Sequence, residues 1–165
     1  MDFQLTGSRY PEVRRWAYLS PCGMYRYVLT RSWAEGSMVV WVMLNPSTAD
    51  ARVDDPTIRK VMGFSRRWGY AGCVVVNLFG LRATDPKALR EAADPYGPEN
   101  GHTVESFTYG RPVIAAWGDS GGKLTDEACE RLPTLTLQCF GTTKAGNPRH
   151  PCRLAYETPL EPWPF

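Results

Sequence analysis

The segment MVVWVMLNPSTAD, residues 38–50, decides how the rest of the chain can fold. Its first seven residues, 38–44, are all apolar and lack the alternation of a strand with one face in water. Such a strand is typical of a sheet covered on both faces, as in α/β proteins. The Asn-Pro pair that follows is a turn signal. The segment therefore predicts a buried strand with a polar loop at its carboxyl end.

Further strand-sized and helical segments surround this central strand. The periodicity predicts strands over 25–31, 73–79, 112–117 and 135–140, a short last strand over 153–156, and helices over 56–68, 86–92, 98–107 and 123–132. For the helix over 56–68, Asp55 is the expected N-cap and Pro56 the first helical residue. The segments 25–31 and 38–44 are expected to pair as an antiparallel hairpin.

The alternation of strands and helices after residue 38 favours right-handed βαβ crossovers. The predicted fold class is therefore α/β, a three-layer α/β/α sandwich with a mainly parallel central sheet and an N-terminal antiparallel hairpin. A chain of 165 residues fits one domain, so a single α/β domain over 1–165 is expected. No sequence feature indicates an oligomeric state.

Composition excludes several classes of protein. The apolar fraction is 43% and the net charge is +2, which is ordinary for a globular protein and argues against disorder. No apolar run reaches the length of a membrane span and no signal peptide is visible, so no membrane association is expected. The five cysteines are odd in number and form no CxxC pair. Reduced thiols and a cytoplasmic location are expected, with no cofactor.

Polar and ionisable residues concentrate in four loops that follow the predicted strands. In open α/β sheets, ligands bind outside the carboxyl ends of the parallel strands. These loops therefore predict a site for a small ligand or a nucleotide. The candidate binding residues are Pro46, Ser47, Thr48, Asp50, Asn77, Arg82, Trp117, Gly118, Lys144 and Arg149.

Three further residues carry candidate chemistry, and each has a structural alternative. Asn45 would present its amide to a base, a sugar or water, or it would only form a turn. Asp54 is the candidate functional carboxylate, whereas Asp55 is the candidate helix cap. His150 would stabilise a developing anion or move a proton, or it would be a surface histidine. Similarly, Trp117 would stack on a base or pack in the core.

Motifs of several common enzymes are absent from the sequence. There is no GxSxG, HExxH, GxGxxG after a strand, or P-loop. Acyl transfer, zinc hydrolysis and hydride transfer are therefore not expected. Asp50 and Asp54 could hold Mg²⁺ through water, but without a phosphate motif no metal site is assigned.

Five segments together resemble the bacterial and phage family called domain of unknown function 1643. They are MLNPSTAD (43–50), DDPTI (54–58), VNLF with LRATDP (76–79 and 81–86), AAWG (115–118) and GNPRHP (146–151). The resemblance runs from about residue 25 to 154. The family name carries no established activity.

More distantly, the layout resembles the uracil-DNA glycosylase superfamily, whose members are α/β/α sandwiches. Leu44-Asn45-Pro46 is similar to the Ile-Asn-Pro of the mismatch-specific branch, in which the Asn positions the attacking water. Residues 146–151 are similar to the second motif, which stabilises the departing base and enters the DNA. The usual His-Pro-Ser or Asn-Pro-Ser order is absent, Arg149 replaces a small residue, and 54–57 has no counterpart in that superfamily.

The resemblance implies a glycosylase-like hydrolase that cleaves an N-glycosidic bond of a nucleobase or nucleotide, in DNA or free. Asn45 would position water, Asp54 would be the base and His150 would stabilise the leaving base. Lys144 and Arg149 would hold phosphate, while Trp117 or Asn77 would contact the base. Two alternatives stay open: a non-catalytic module that binds a nucleotide or modified base, and metal-dependent phosphate chemistry through Asp50 and Asp54. The expected partner is a nucleotide-like small molecule or DNA.

Overall fold

The computed structural model describes residues 12–47 and 49–164, so Thr48, one of the predicted binding residues, lies outside the described residues. The strands are β1 (Arg14–Leu19), β2 (Arg26–Ser32), β3 (Met38–Met43), β4 (Gly72–Asn77), β5 (Val113–Ala115), β6 (Leu137–Cys139) and β7 (Glu161–Pro162). The helices are α1 (Pro56–Arg67), α2 (Lys87–Glu91), α3 (Asn100–Thr108) and α4 (Leu124–Glu130). No helix in this part of the chain is long and apolar enough to cross a membrane.

The seven strands form one mixed sheet in the order β1-β2-β4-β3-β5-β6-β7. The four strands β4, β3, β5 and β6 are parallel, whereas β1, β2 and β7 run antiparallel to their neighbours. The chain moves from β3 through α1 to β4 on one side, and then through α2 and α3 to β5 on the other side of β3. The strand order therefore reverses between β3 and β5, which is where α/β folds bind ligands.

Both faces of the central strands are covered by apolar side chains. On one face, Trp41 and Val75 join a buried cluster with Phe64 of α1. On the other face, Val42 joins a buried cluster that includes Leu89, Val104 and Ala128 from α2, α3 and α4. Successive side chains of a strand point to opposite faces, so a strand buried on both faces must be apolar throughout. This confirms the α/β class predicted from residues 38–44.

The N-terminal antiparallel hairpin exists, but its strands are β1 and β2. The predicted pairing of 25–31 with 38–44 is wrong, because β4 lies between β2 and β3. All six residues of β4 are buried, and a buried strand needs a hydrogen-bonding neighbour on each edge. The strand pairs with β2 on one edge and with β3 on the other.

The chain after β6 differs from the predicted short strand over 153–156. Residues Pro151–Arg153 form a 3₁₀ helix, and the last strand is Glu161–Pro162, which pairs with β6. Pro151 fixes a helical φ, and the His150 ring caps this turn by accepting a hydrogen bond from the Cys152 amide. By contrast, the predicted Asp55 cap is confirmed, because its carboxylate accepts from the Ile58 amide at 2.8 Å.

Candidate functional site

A cavity of about 170 Å³ opens at the carboxyl ends of the parallel strands, on the α1 face of the sheet. Five of the predicted site residues line it: Asn45, Ser47, Asn77, Trp117 and His150. They come from the ends of β3, β4 and β5 and from the loop after β6. The strand order thus brings together loops that are more than 100 residues apart in the sequence, at the point where it reverses.

Asn45 is held in one orientation by two backbone carbonyls. Its amide nitrogen donates hydrogen bonds to the carbonyls of Pro46 at 3.0 Å and Ala83 at 2.8 Å. Because both partners are acceptors, the nitrogen must face them and the side-chain oxygen must face away. The Ala83 amide also donates to the Pro46 carbonyl at 2.9 Å, which ties the loop after β3 to the loop after β4. Asn45 can therefore accept a hydrogen bond in the cavity through its side-chain oxygen.

Asn77 lies at the end of β4 with its side chain 1% exposed. Neither its amide nitrogen nor its amide oxygen has a hydrogen-bond partner within the described chain. The alternation along β4 places Asn77 on the same face as Val75, which also lines the cavity. Buried amides are normally paired, so a free donor beside a free acceptor marks a place where a ligand or water binds.

His150 contributes a neutral imidazole to the cavity. Burial lowers the pKa of His150 below its ordinary value, and the nearby charge of Asp55 opposes this shift only in part. The ring accepts a hydrogen bond from the Cys152 amide at Nδ1, over 3.3 Å. In the neutral ring, Nδ1 is then the unprotonated nitrogen, so the proton is on Nε2. His150 is thus a hydrogen-bond donor without a positive charge.

Gly118 lies directly against His150. A Cβ at position 118 would come within 3.2 Å of the His150 Cβ, and the φ of +68° there suits glycine. The Gly118 amide also donates to the Pro148 carbonyl at 2.9 Å. This close approach of the loop after β5 fixes the position of the histidine.

Asp119 anchors the same loop through its carboxylate. The Asp119 Oδ1 accepts hydrogen bonds from the Thr143 hydroxyl and from the Asn147 side-chain amide, both at 2.7 Å. These bonds hold the segment 141–150, which leads into His150.

The two acidic residues before α1 have different surroundings. Asp54 forms ion pairs with Arg15 at 2.6 Å and Arg31 at 2.7 Å, and it does not line the cavity. Burial acts to raise the pKa of Asp54, but the hydrogen bonds from both arginines outweigh this effect and lower it. Asp55 lines the cavity while it caps α1. Of the two, Asp55 is therefore the carboxylate that a ligand can reach.

The remaining predicted binding residues lie outside the cavity lining. The Asp50 carboxylate accepts the amides of Arg52 and Val53 in its own turn. The Arg82 guanidinium donates to the Gly23 carbonyl at 3.3 Å. Pro46 is buried, whereas Lys144 and Arg149 are exposed.

Trp117 borders the cavity, but its ring is buried and packs edge-on against Trp163 in the cluster opposite α1.

The sequence reasoning missed several residues that line the cavity. They are Arg26, Thr57, Thr84 and Ser120, together with Asp55 as more than a cap. Arg26 is the most informative of them, since it is a charged residue in a strand whose first four residues are all buried. A charge inside a buried strand segment was the available signal, because such charges need a partner.

In residues 12–47 and 49–164, no group of three or more His, Cys, Asp or Glu side chains could hold a metal ion. All five cysteines are free, with Cys22 and Cys152 exposed and the other three buried.

Fold and site together define an α/β protein with a ligand-sized cavity at the switch point of its parallel strands. Residues 26–152 match the family described as protein of unknown function (DUF1643), and the chain belongs to this family. No curated protein and no solved structure matches the chain.

Proposed function

We infer that this protein is a glycosylase-like hydrolase that cleaves the N-glycosidic bond of a nucleobase or nucleotide. The observation that carries this inference is Asn77, a buried residue of the cavity lining whose side-chain donor and acceptor both lack a hydrogen-bond partner in the described chain. A carboxamide presents a donor beside an acceptor, which complements the adjacent C=O and N–H groups on the edge of a base. The proposal includes a three-layer α/β/α arrangement, supported by the apolar clusters on both sheet faces.

Asn45 would position the water that attacks the sugar. Its nitrogen is occupied by two carbonyls, so its oxygen is available to accept a hydrogen bond from that water. We assign the role of base to Asp55 in place of Asp54, because Asp55 lines the cavity and Asp54 is paired with arginines. The water oxygen would bond to C1′ of the sugar, and its proton would pass to Asp55.

His150 would stabilise the departing base. When the C1′–N bond breaks, its electron pair goes to the base, whose ring carbonyls gain negative charge. A neutral imidazole with its proton on Nε2 can donate a hydrogen bond to such an oxygen. The released base then takes up a proton, from Asp55 or from solvent, which balances the hydrolysis.

The proposal is tested by a base-release assay on the wild type and on Asn45→Ala, Asn77→Ala and Ser106→Ala. Ser106 is exposed on α3 and is the matched control. Wild type and Ser106→Ala should release free base from nucleosides, nucleotides or DNA containing the preferred base. Asn45→Ala should lose about 10²-fold in rate and still bind, since the loss of a group that positions a reactant costs roughly this much.

The non-catalytic alternative predicts a different pattern. A module that only binds a nucleotide or modified base would release no base in any variant, and Asn45→Ala would merely weaken binding. Activity that is lost on adding a chelator would instead favour metal-dependent phosphate chemistry. Either pattern would overturn the glycosylase proposal.

A further inference from the structure

Two arginines of β2 are buried on the sheet, but only one of them has a carboxylate partner. Arg31 is 1% exposed and its Nε donates to Asp54 at 2.7 Å, while its other nitrogens reach the carbonyls of Thr30 and Asp50. Arg26 is 3% exposed and its Nη1 donates to the Ala49 carbonyl. No carboxylate of the described residues lies within ion-pair distance of Arg26, and its Nε has no hydrogen-bond partner there.

An unpaired buried cation costs free energy, and folded proteins normally match such charges with a carboxylate. Arg31 follows this rule five residues along the same strand, so the chain can build the matched arrangement on β2. Arg26 does not follow this rule, and of the two arginines it is the one that lines the cavity. Burial lowers the pKa of Arg26 to about 10, so the guanidinium stays protonated at neutral pH.

Arg26 enters the cavity from the same edge of the sheet as Asn77. The β2–β4 register pairs Leu29 with Val75 in an antiparallel ladder, so the beginning of β2 lies next to the end of β4. The Arg26 amide also donates to the Gly80 carbonyl at 2.9 Å, just after β4. His150 reaches the cavity from the loop beyond β6, on the far side of β3 and β5. The cavity thus has Arg26 toward β2 and His150 toward β6, and the charge of Asp55 acts to raise the pKa of both.

We propose that Arg26 binds a terminal oxyanion of the ligand, a phosphate monoester or a carboxylate, at the β2–β4 end of the cavity. A guanidinium binds such groups through paired N–H donors, and the Nε of Arg26 is free for this purpose. Arg26 is only 3% exposed, so it is reached most easily by an anionic group at the end of a ligand. A phosphodiester continues into the polymer on both sides and would need an open groove.

The choice of nucleotides as probes rests on the proposed function, whereas the anion site itself does not. If both proposals hold, the substrate is a free nucleotide in preference to DNA or to a neutral nucleoside. Asp55 also borders the cavity and its charge acts on Arg26, so a bound anion must lie closer to the guanidinium than to that carboxylate.

The first test uses inorganic phosphate and acetate as separate probes at constant ionic strength. Thermal stability is measured for the wild type, for Arg26→Gln and for Arg90→Gln, which removes an exposed arginine of α2. Phosphate, acetate or both should raise the melting temperature of the wild type and of Arg90→Gln, but not of Arg26→Gln. A response to phosphate identifies a phosphate monoester and a response to acetate alone identifies a carboxylate. No response of the wild type to either anion would overturn the proposal.

The second test needs no variant and compares ligands by calorimetry on the wild type. If phosphate is the anion, a nucleoside 5′-monophosphate should bind about tenfold or more tightly than its nucleoside, and more tightly than a short single-stranded DNA. If acetate alone responds, a carboxylate-bearing pyrimidine should show that advantage over the unsubstituted base. Equal affinities, or a preference for DNA, would overturn the proposal even if Arg26→Gln failed to fold.

The two proposals can fail separately. Anion binding that depends on Arg26, without base release from any substrate, supports the anion site and contradicts the glycosylase activity. Alternatively, Arg26→Gln could release base at the wild-type rate from substrates with and without the anion. That result supports the glycosylase activity and contradicts the anion site.

Discussion

The residues of the cavity differ from their neighbours in what their polar atoms contact. The Asp54 carboxylate accepts hydrogen bonds from Arg15 and Arg31, and Arg31 also donates to backbone carbonyls, so both groups are paired within the fold and stabilise it. Asn77 and Arg26 are buried to a similar degree and keep polar atoms unpaired. Unpaired buried atoms also occur outside the cavity, at Arg82 and Asn100, so the combination of an unpaired atom with a place in the cavity lining marks Asn77 and Arg26 as ligand-binding candidates.

His150 should make the stability of the protein depend on pH. Burial holds the pKa of the folded state below the ordinary value, so below pH about 6.5 the unfolded chain binds more protons than the folded chain. Stability should therefore fall as the pH decreases from about 6.5 through the lowered pKa. In His150→Gln this part of the loss should be absent. Between pH 7 and pH 5, the unfolding free energy of the variant should therefore decrease less than that of the wild type.

Urea unfolding at a series of pH values measures this difference. His102→Gln, which removes the exposed histidine of α3, is the matched control and should follow the wild type. Parallel pH curves for the wild type and His150→Gln would contradict the burial argument.

At the scale of elements, helix α1 was predictable and the strand partners were not. Asp55, Pro56 and the apolar spacing of α1 act within one or two turns, so local sequence contains the whole signal. The position of β2 depends on β4, which lies more than 40 residues further along the chain. An apolar strand indicates that it is buried but does not indicate its neighbour, which is why the expected pairing of 25–31 with 38–44 was wrong.

The loop that leads to His150 should lose order when its anchor is removed. Asp119→Ala deletes the acceptor of the Thr143 and Asn147 hydrogen bonds, and the expected cost is about 1 kcal/mol in unfolding free energy. Amide hydrogen exchange over 141–150 should accelerate, while that of β3 and β4 stays slow. Asp126→Ala on α4, an exposed carboxylate without these bonds, is the control. Unchanged protection over 141–150 would contradict the anchoring role.

For the whole molecule, the sequence predicted a site at the carboxyl ends of the parallel strands, and the cavity lies there. That prediction needed only the βαβ alternation and the polar residues after each strand. Asn45, Asn77 and His150 were found in this way, and all three line the cavity. Arg26 lies at the beginning of an antiparallel strand. The rule that ligands bind at the carboxyl ends of parallel strands does not apply to that position. Lys144 and Arg149 are charged and lie near His150 in the sequence, but neither property places a side chain in the cavity.

Strand β1 has a consequence for how the chain associates with its own copies. All residues that line the cavity lie between Arg26 and His150, whereas β1 precedes them and covers the free edge of β2. A chain shortened to begin at Met24 should keep the cavity but expose the backbone donors and acceptors of β2. Unpaired edges of this kind join to those of other molecules.

We therefore expect the shortened chain to form oligomers whose population rises with protein concentration, as measured by sedimentation velocity against the full chain. A second shortened chain with Thr30→Pro, which removes a backbone donor from β2, separates edge pairing from general instability if it is soluble and folded. A shortened chain that stays monomeric at all concentrations would show that β2 needs no cover. If the shortened chain does associate, the first hairpin protects solubility, whereas the cavity is formed by the residues that follow it.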